Sequence, residues 1–259
     1  MDIPLSNMIG WDIVAFAEQV LGINPDAVQK QVLRSQSRRL ALLCTRQWGK
    51  STMAGIRALH KAIYEKKTLT LLISNTLDQA MELFKRIADL SSNVPDFESV
   101  EQSKTHMLLP NGSRIKCVPA SEQSVRGYTA HLCIIDEAAL IEDIVFAAVT
   151  PTIATTNGAL LLLSSAKFRR WFYYEIMNRK DDQWERYTVP HTQCARISKE
   201  FIAEERKRMA PMHFAMEYDC EFMSMSGGLF TPEMLEGIYT GEVAPAFSSF
   251  FTKDVKPYE

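Results

Sequence analysis

The 259-residue sequence lacks any long hydrophobic run. Leu160 to Leu163, and the stretch from Ala138 to Val149 broken by Glu142 and Asp143, fall well short of the ~18 uninterrupted apolar residues of a membrane span. The N-terminus, MDIPLSNMIGWDIV, has neither a basic leader nor an apolar stretch ending at a small-residue cleavage site, so it does not read as a secretory signal and a cytoplasmic location is expected. Cysteine is scarce: Cys44, Cys117, Cys133, Cys194 and Cys220 form no C-x-x-C pair, which argues against a disulfide framework or an all-cysteine zinc site and predicts buried thiols. His191 and Cys194 supply two ligands at metal-site spacing, with nothing nearby to complete four. An excess of either charge is also missing. With 29 Lys+Arg against 31 Asp+Glu the net charge is −2, so global charge gives no argument for a polyanionic partner, although a local basic strip suffices for one. What is present, 46% hydrophobic and 23% charged residues, is the composition of a folded core and excludes a disordered chain, collagen or a coiled-coil rod.

Short apolar runs alternate with helical patterns. Residues 11–21 put Ile13, Phe16, Ala17, Val20 and Leu21 on one helical face, and a turn at Asn24-Pro25-Asp26 starts a second helix through Leu33. Buried strands are predicted at Leu40–Cys44, Leu69–Ser74, Leu132–Ile135 and Leu160–Ser164, with helices through about Tyr64, over Leu77–Leu90 and over Ile144–Ala154. Asn111-Gly112 joins His106–Leu109 to Ile115–Val118 as a hairpin. Buried runs separated by helices predict a mostly parallel sheet covered on both faces. Beyond Ser165, helical segments at 169–179 and 198–219 flank an alternating run, Trp184–Val189, and predict a smaller subdomain packed on the sheet. From Met225 the chain reads as a linker. The expected division is 1–166 for the core with its N-terminal helices, 167–224 for the rest of that domain with a helical lid, and 225–259 for the linker.

Chemistry gathers where the buried strands end. Cys44-Thr-Arg-Gln-Trp-Gly-Lys-Ser51 lies between a strand and a helix, where backbone N–H groups and the positive helix end converge on an anion. It meets the phosphate-loop pattern at Gly49, Lys50 and Ser51 but lacks the first glycine, replaced by Cys44. In that pattern Lys50 bridges phosphate oxygens and Ser51 ligates Mg2+. Leu132-Cys-Ile-Ile-Asp136-Glu137 ends in adjacent carboxylates: Asp136 is suited to hold Mg2+ and Glu137 to activate the attacking water. Ser164 and Ser165 end the third buried strand, where they either sense the γ-phosphate or cap a helix.

The set formed by Gln29, CTRQWGKST, SVRGYTAHLCIIDEAA and LLLSSA resembles the ATPase domain of the large terminase subunit of tailed bacteriophages. The similarity runs from about Trp11 to Phe230, and loss of the first loop glycine is usual in that family. The resemblance implies a P-loop NTPase α/β fold of RecA-like type with a small C-terminal lid, acting as the ATP- and Mg2+-dependent motor that packages DNA. Thr45, Arg46, Gln47, Trp48, Gly49, Lys50, Ser51 and Thr52 would form the nucleotide loop, and Gln29 would read the adenine edge. Ser51 and Asp136 would hold the metal, and Glu137 would be catalytic. Ser164, Ser165 and Ala166 would couple hydrolysis to motion. Arg46 and Arg126 are both candidates for the arginine that stabilises the transition state. Arginine geometry suits either, while Gly127 favours Arg126, on a mobile loop, reaching a neighbouring subunit. Implied partners are double-stranded DNA, the portal protein, the small terminase subunit and copies of the chain itself. These copies would form a ring at the procapsid portal in the host cytoplasm from a monomer in solution.

Family members usually continue into a nuclease domain. No buried strand with paired carboxylates follows Met225, so nuclease activity is not expected. Two other readings are a superfamily 1 or 2 helicase fragment and a nucleotide-dependent DNA clamp without productive turnover. Basic clusters at Arg34, Arg38 and Arg39, at Lys167, Arg169 and Arg170, and at Arg206 to Arg208 are unranked as DNA contacts.

Overall fold

The computed structural model describes residues 12–181 and 183–224. Helix α1 (Ile13–Ala15), capped by Asp12, runs on into a π-helical turn, Phe16–Val20, so the first amphipathic segment is a widened helix. Helix α2 (Ala27–Arg34) starts from a capping box in which Asp26 accepts from the Gln29 N–H and Gln29 reaches back to the Asp26 N–H. Strand β1 (Arg39–Cys44) leads into helix α3 (Lys50–Tyr64), followed by strand β2 (Leu69–Ser74) and helix α4 (Leu77–Ser91). Strand β3 (Glu101–Gln102), unforeseen in the sequence, joins the predicted hairpin of β4 (His106–Leu108) and β5 (Arg114–Pro119). After the short α5 (Glu122–Val125) comes β6 (Leu132–Asp136). The predicted helix over 144–154 is α6 (Asp143–Val149) continued by a 3-10 turn, Thr150–Ile153, where Pro151 has no N–H for an α-helical bond. Strand β7 (Ala159–Ser164), α7 (Trp171–Asn178), β8 (Glu185–Val189), α8 (Lys199–Arg208) and α9 (Pro211–Phe214), the last continued by a π-turn at Ala215–Asp219, complete the described chain.

All eight strands form one sheet in the order β3-β4-β5-β2-β6-β7-β1-β8. Pairing is parallel from β5 through β8, and only β3–β4 and β4–β5 are antiparallel. The alternating run at 184–189, expected in a separate subdomain, is instead the edge strand beside β1, with Leu40 opposite Glu185 and Cys44 opposite Val189. Its partial polarity is that of an edge position. Successive residues of β1 serve opposite cores: Leu40, Leu42 and Cys44 pack with α3 and α4, while Ala41 and Leu43 pack with α6 and α7. All five cysteines are buried and free, and no metal-binding His/Cys/Asp/Glu group occurs among the described residues. The linker expected at 225–259 lies outside them.

Candidate active site

Parallel strands aim their carboxyl ends at one rim, and β6, β7 and β1 are adjacent there. The loop between β1 and α3 passes through two left-handed residues, Gln47 (φ 61°) and Gly49 (φ 98°), the second opening α3 with no side-chain cap. The first N–H groups of a 15-residue helix thus face the rim. Lys50 Nζ bonds the Cys44 carbonyl at 3.0 Å and the Thr45 carbonyl at 3.2 Å, which folds the ammonium back under the loop and leaves a third donor for an anion.

At the end of β6, Glu137 adopts the left-handed conformation (φ 51°), costly for a residue with a Cβ and held because its own N–H donates to Asp136 Oδ1 at 3.0 Å. Ser164 Oγ, from β7, donates to Glu137 Oε2 at 3.1 Å and fixes the carboxylate. Burial, then the neighbouring Glu137 charge, raises the Asp136 pKa to about 6, although Lys50 and Arg86 pull it down. A buried carboxylate beside a second one, at a rim that already holds Ser51, is a donor set that fits Mg2+. Ser51, Lys50, Thr52, Gly49, Gln47, Arg46, Gln29 and Glu137 line one cavity of about 520 Å3 with Ile23, Arg86 and Arg196.

The sequence matches a known family. Residues 42–236 fit the family described as "Terminase large subunit, T4likevirus-type, N-terminal". The chain belongs to the terminase large subunits. It is 27% identical over 250 residues to the terminase large subunit of Thermus phage G20c, covering 82% of this chain and 52% of that protein. The chain therefore spans about half the length of the curated relatives it matches. A point mutant of the large terminase ATPase domain of Thermus phage P74-26 superposes with a TM-score of 0.73 at 24% identity, over 80% of this chain and 97% of that one. The large terminase of a thermophilic bacteriophage, solved in complex with ADP, gives 0.64 at 10% identity, over 76% and 53%. The α/β sheet is thus the RecA-like fold of phage terminase ATPase domains.

Within this terminase fold several expected residues face unexpected ways. The Trp48 side chain is fully buried in the α3 core and only its carbonyl serves the site, accepting from Gln29 Nε2 at 2.7 Å and Arg196 Nη1 at 2.5 Å. Thr45 is also buried, its hydroxyl 3.3 Å from the Glu217 carbonyl. Ala166 is buried in the α7-side core, and Ser165 is buried and bonded to Glu217. Arg126 does not line that cavity. It is exposed, ion-paired with Glu122, and borders a different cavity with Gly127 (φ 84°), Tyr128 and Pro151.

Three charged residues carry no sequence signal of their own. Arg86 of α4 lines the cavity and reaches Thr52 Oγ1 at 3.4 Å. Arg196 holds the far end. Glu217, in the π-turn after α9, lies 3.4 Å from Arg46 Nε, pairs with Lys167, and accepts the Arg46 N–H on its carbonyl at 3.1 Å. Burial would raise the Glu217 pKa, but Lys167, Arg46 and Ser165 together hold it below its ordinary value. Glu217 thus ties the loop between β1 and α3 to the strand end after β7.

Proposed function

We propose that this chain is the ATP-hydrolysing motor domain of a phage DNA-packaging machine, translocating double-stranded DNA into a procapsid in the host cytoplasm. The observation that carries the reading is the meeting of Lys50, the uncapped start of α3, Asp136 and the Ser164-held Glu137 at the ends of three adjacent strands. Family membership and the ADP bound to the relative from a thermophilic phage support it.

The α3 N–H groups and Lys50 bind the phosphates. Ser51 and Asp136 would hold Mg2+, whose charge would offset that of the phosphates. Glu137 orients a water and takes its proton as the water oxygen bonds to the γ-phosphorus and the bond to the bridging oxygen breaks, releasing ADP and phosphate. Ser164 positions that carboxylate, and Ser165 relays the state of the rim to Glu217. Two arginines remain for the transition-state charge: Arg46 from the chain's own loop, once freed from Glu217, and Arg126 from a neighbouring copy in a ring. The placement of Arg126 outside its own cavity supports action in trans. Portal protein and small terminase subunit are the proposed partners of the assembled motor.

The test is phosphate release from MgATP by the purified chain at rising protein concentration, with and without duplex DNA. Turnover per chain should rise on both counts. Mixing Arg126→Ala with Lys50→Ala chains should restore part of the activity that each lacks alone, and failure of that rescue under assembling conditions rejects the trans assignment.

A further inference from the structure

One end of the nucleotide cavity holds a cation with no role in the motif set. Arg196 stands between β8 and α8, its side chain 42% exposed, and it lines the cavity together with Ile23, Asn24 and Gln29. Its Nη1 donates to the Trp48 carbonyl at 2.5 Å, its Nη2 donates to Gln29 Oε1, and the Asp26 carboxylate lies 3.8 Å away. The Gln29 amide is fully engaged at its oxygen and half engaged at its nitrogen. Its Oε1 also accepts from the Asp26 N–H at 3.1 Å, its Nε2 donates to the Trp48 carbonyl at 2.7 Å, and the residue is 0% exposed. Gly49 admits this packing, since a Cβ there would stand 3.1 Å from both Arg196 Nη1 and Gln29 Nε2.

These bonds decide which group meets a nucleobase. A buried amide whose oxygen serves two donors has little left with which to read the edge of a purine. A guanidinium whose fork is fixed by the protein still offers its planar, weakly hydrated face, which attracts an aromatic ring. We propose that Arg196 is the nucleobase platform of this site, taking the base against its guanidinium plane, and that Gln29 is a positioning residue that holds Arg196 in place. The inference rests on the reading of the cavity as a nucleotide site and adds a specificity to it. A flat cation accepts any ring, so ATP and GTP should bind within a few-fold of each other.

The test is calorimetric titration, in Mg2+, of the whole chain and its Arg196→Ala, Arg196→Lys and Gln29→Ala variants with ATP, GTP and inorganic tripolyphosphate. Arg196→Ala should weaken both nucleotides about tenfold and leave tripolyphosphate unchanged. Lysine should restore only part of the loss, because it lacks the plane. Gln29→Ala should show the same nucleotide-only loss, and the double variant should bind no worse than Arg196→Ala alone. Unchanged tripolyphosphate affinity also reports that each variant is folded. Equal loss of all three ligands, no loss at all, or a strong ATP preference that survives Arg196→Ala overturns the proposal. A wild-type chain that binds none of the three ligands defeats the nucleotide-site reading itself. The patterns just given defeat only the role of Arg196.

Discussion

Two cavities of similar size open at opposite rims of the same sheet, and they differ in how their charges are satisfied. At the amino rim, about 400 Å3 is bordered by Arg38, Arg57, Lys61, His131 and Gly158. Arg57 there donates to the carbonyls of Val32, Leu33 and Ser35, ending α2, and His131 Nδ1 accepts from the Leu69 N–H at 3.2 Å. At the carboxyl rim, Lys50 also donates to main-chain carbonyls, but it does so beside an uncapped helix start and a carboxylate raised to about pKa 6. Both cations lie on α3. One closes a helix end, and the other stands beside Asp136 and Glu137 at the strand ends. Volume does not separate the two rims in this molecule. The carboxylates at the strand ends do.

That contrast breaks if the two cations behave alike. Lys50→Ala should lower phosphate release by at least about a hundredfold with little change in melting temperature, measured by steady-state kinetics and calorimetry. Arg57→Ala should do the reverse, leaving turnover per folded chain intact while lowering Tm by about 4–8 °C, since it strands the carbonyls that end α2. Ser164→Ala sharpens the picture at the carboxyl rim: loss of one bond to Glu137 should reduce kcat about tenfold with nucleotide affinity retained.

The smallest effect concerns acid stability. The folded-state pKa of Glu217 is held below its ordinary value of 4.5, so its contribution is full above that pH and fades as pH falls through the lowered value. Glu217→Gln should cost about 1–2 kcal/mol at pH 7, and the cost should shrink as pH falls below 4.5, read from denaturant unfolding at a series of pH values. A cost independent of pH would assign Glu217 to packing alone.

Much of this architecture is legible in the order of the residues, because β1, β6 and β7 are short apolar runs and each ends at residues that the candidate site brings together. Lys50 follows β1, Asp136 and Glu137 close β6, and Ser164 closes β7. The residues that are not legible are those brought in by tertiary distance. Arg196 meets Trp48 across 148 positions, and Glu217 meets Thr45 across 172. No local pattern marks an arginine or glutamate in a charged helical region as part of a site. The edge strand β8 is hidden for a related reason: alternation identifies a half-buried strand but not the sheet that receives it. Trp48, a ligand by its place in the loop, is instead a core residue, because the loop turns its side chain inward while its carbonyl stays at the rim.

The central claim is that the carboxyl rim hydrolyses ATP through a base held by Ser164. Its most direct test measures MgATP binding and phosphate release together for the wild-type chain and Glu137→Gln. The account predicts that the variant binds ATP with affinity within a few-fold of wild type while phosphate release falls by about 10²–10⁴. Phosphate release that is unchanged in a variant that still binds ATP would contradict it.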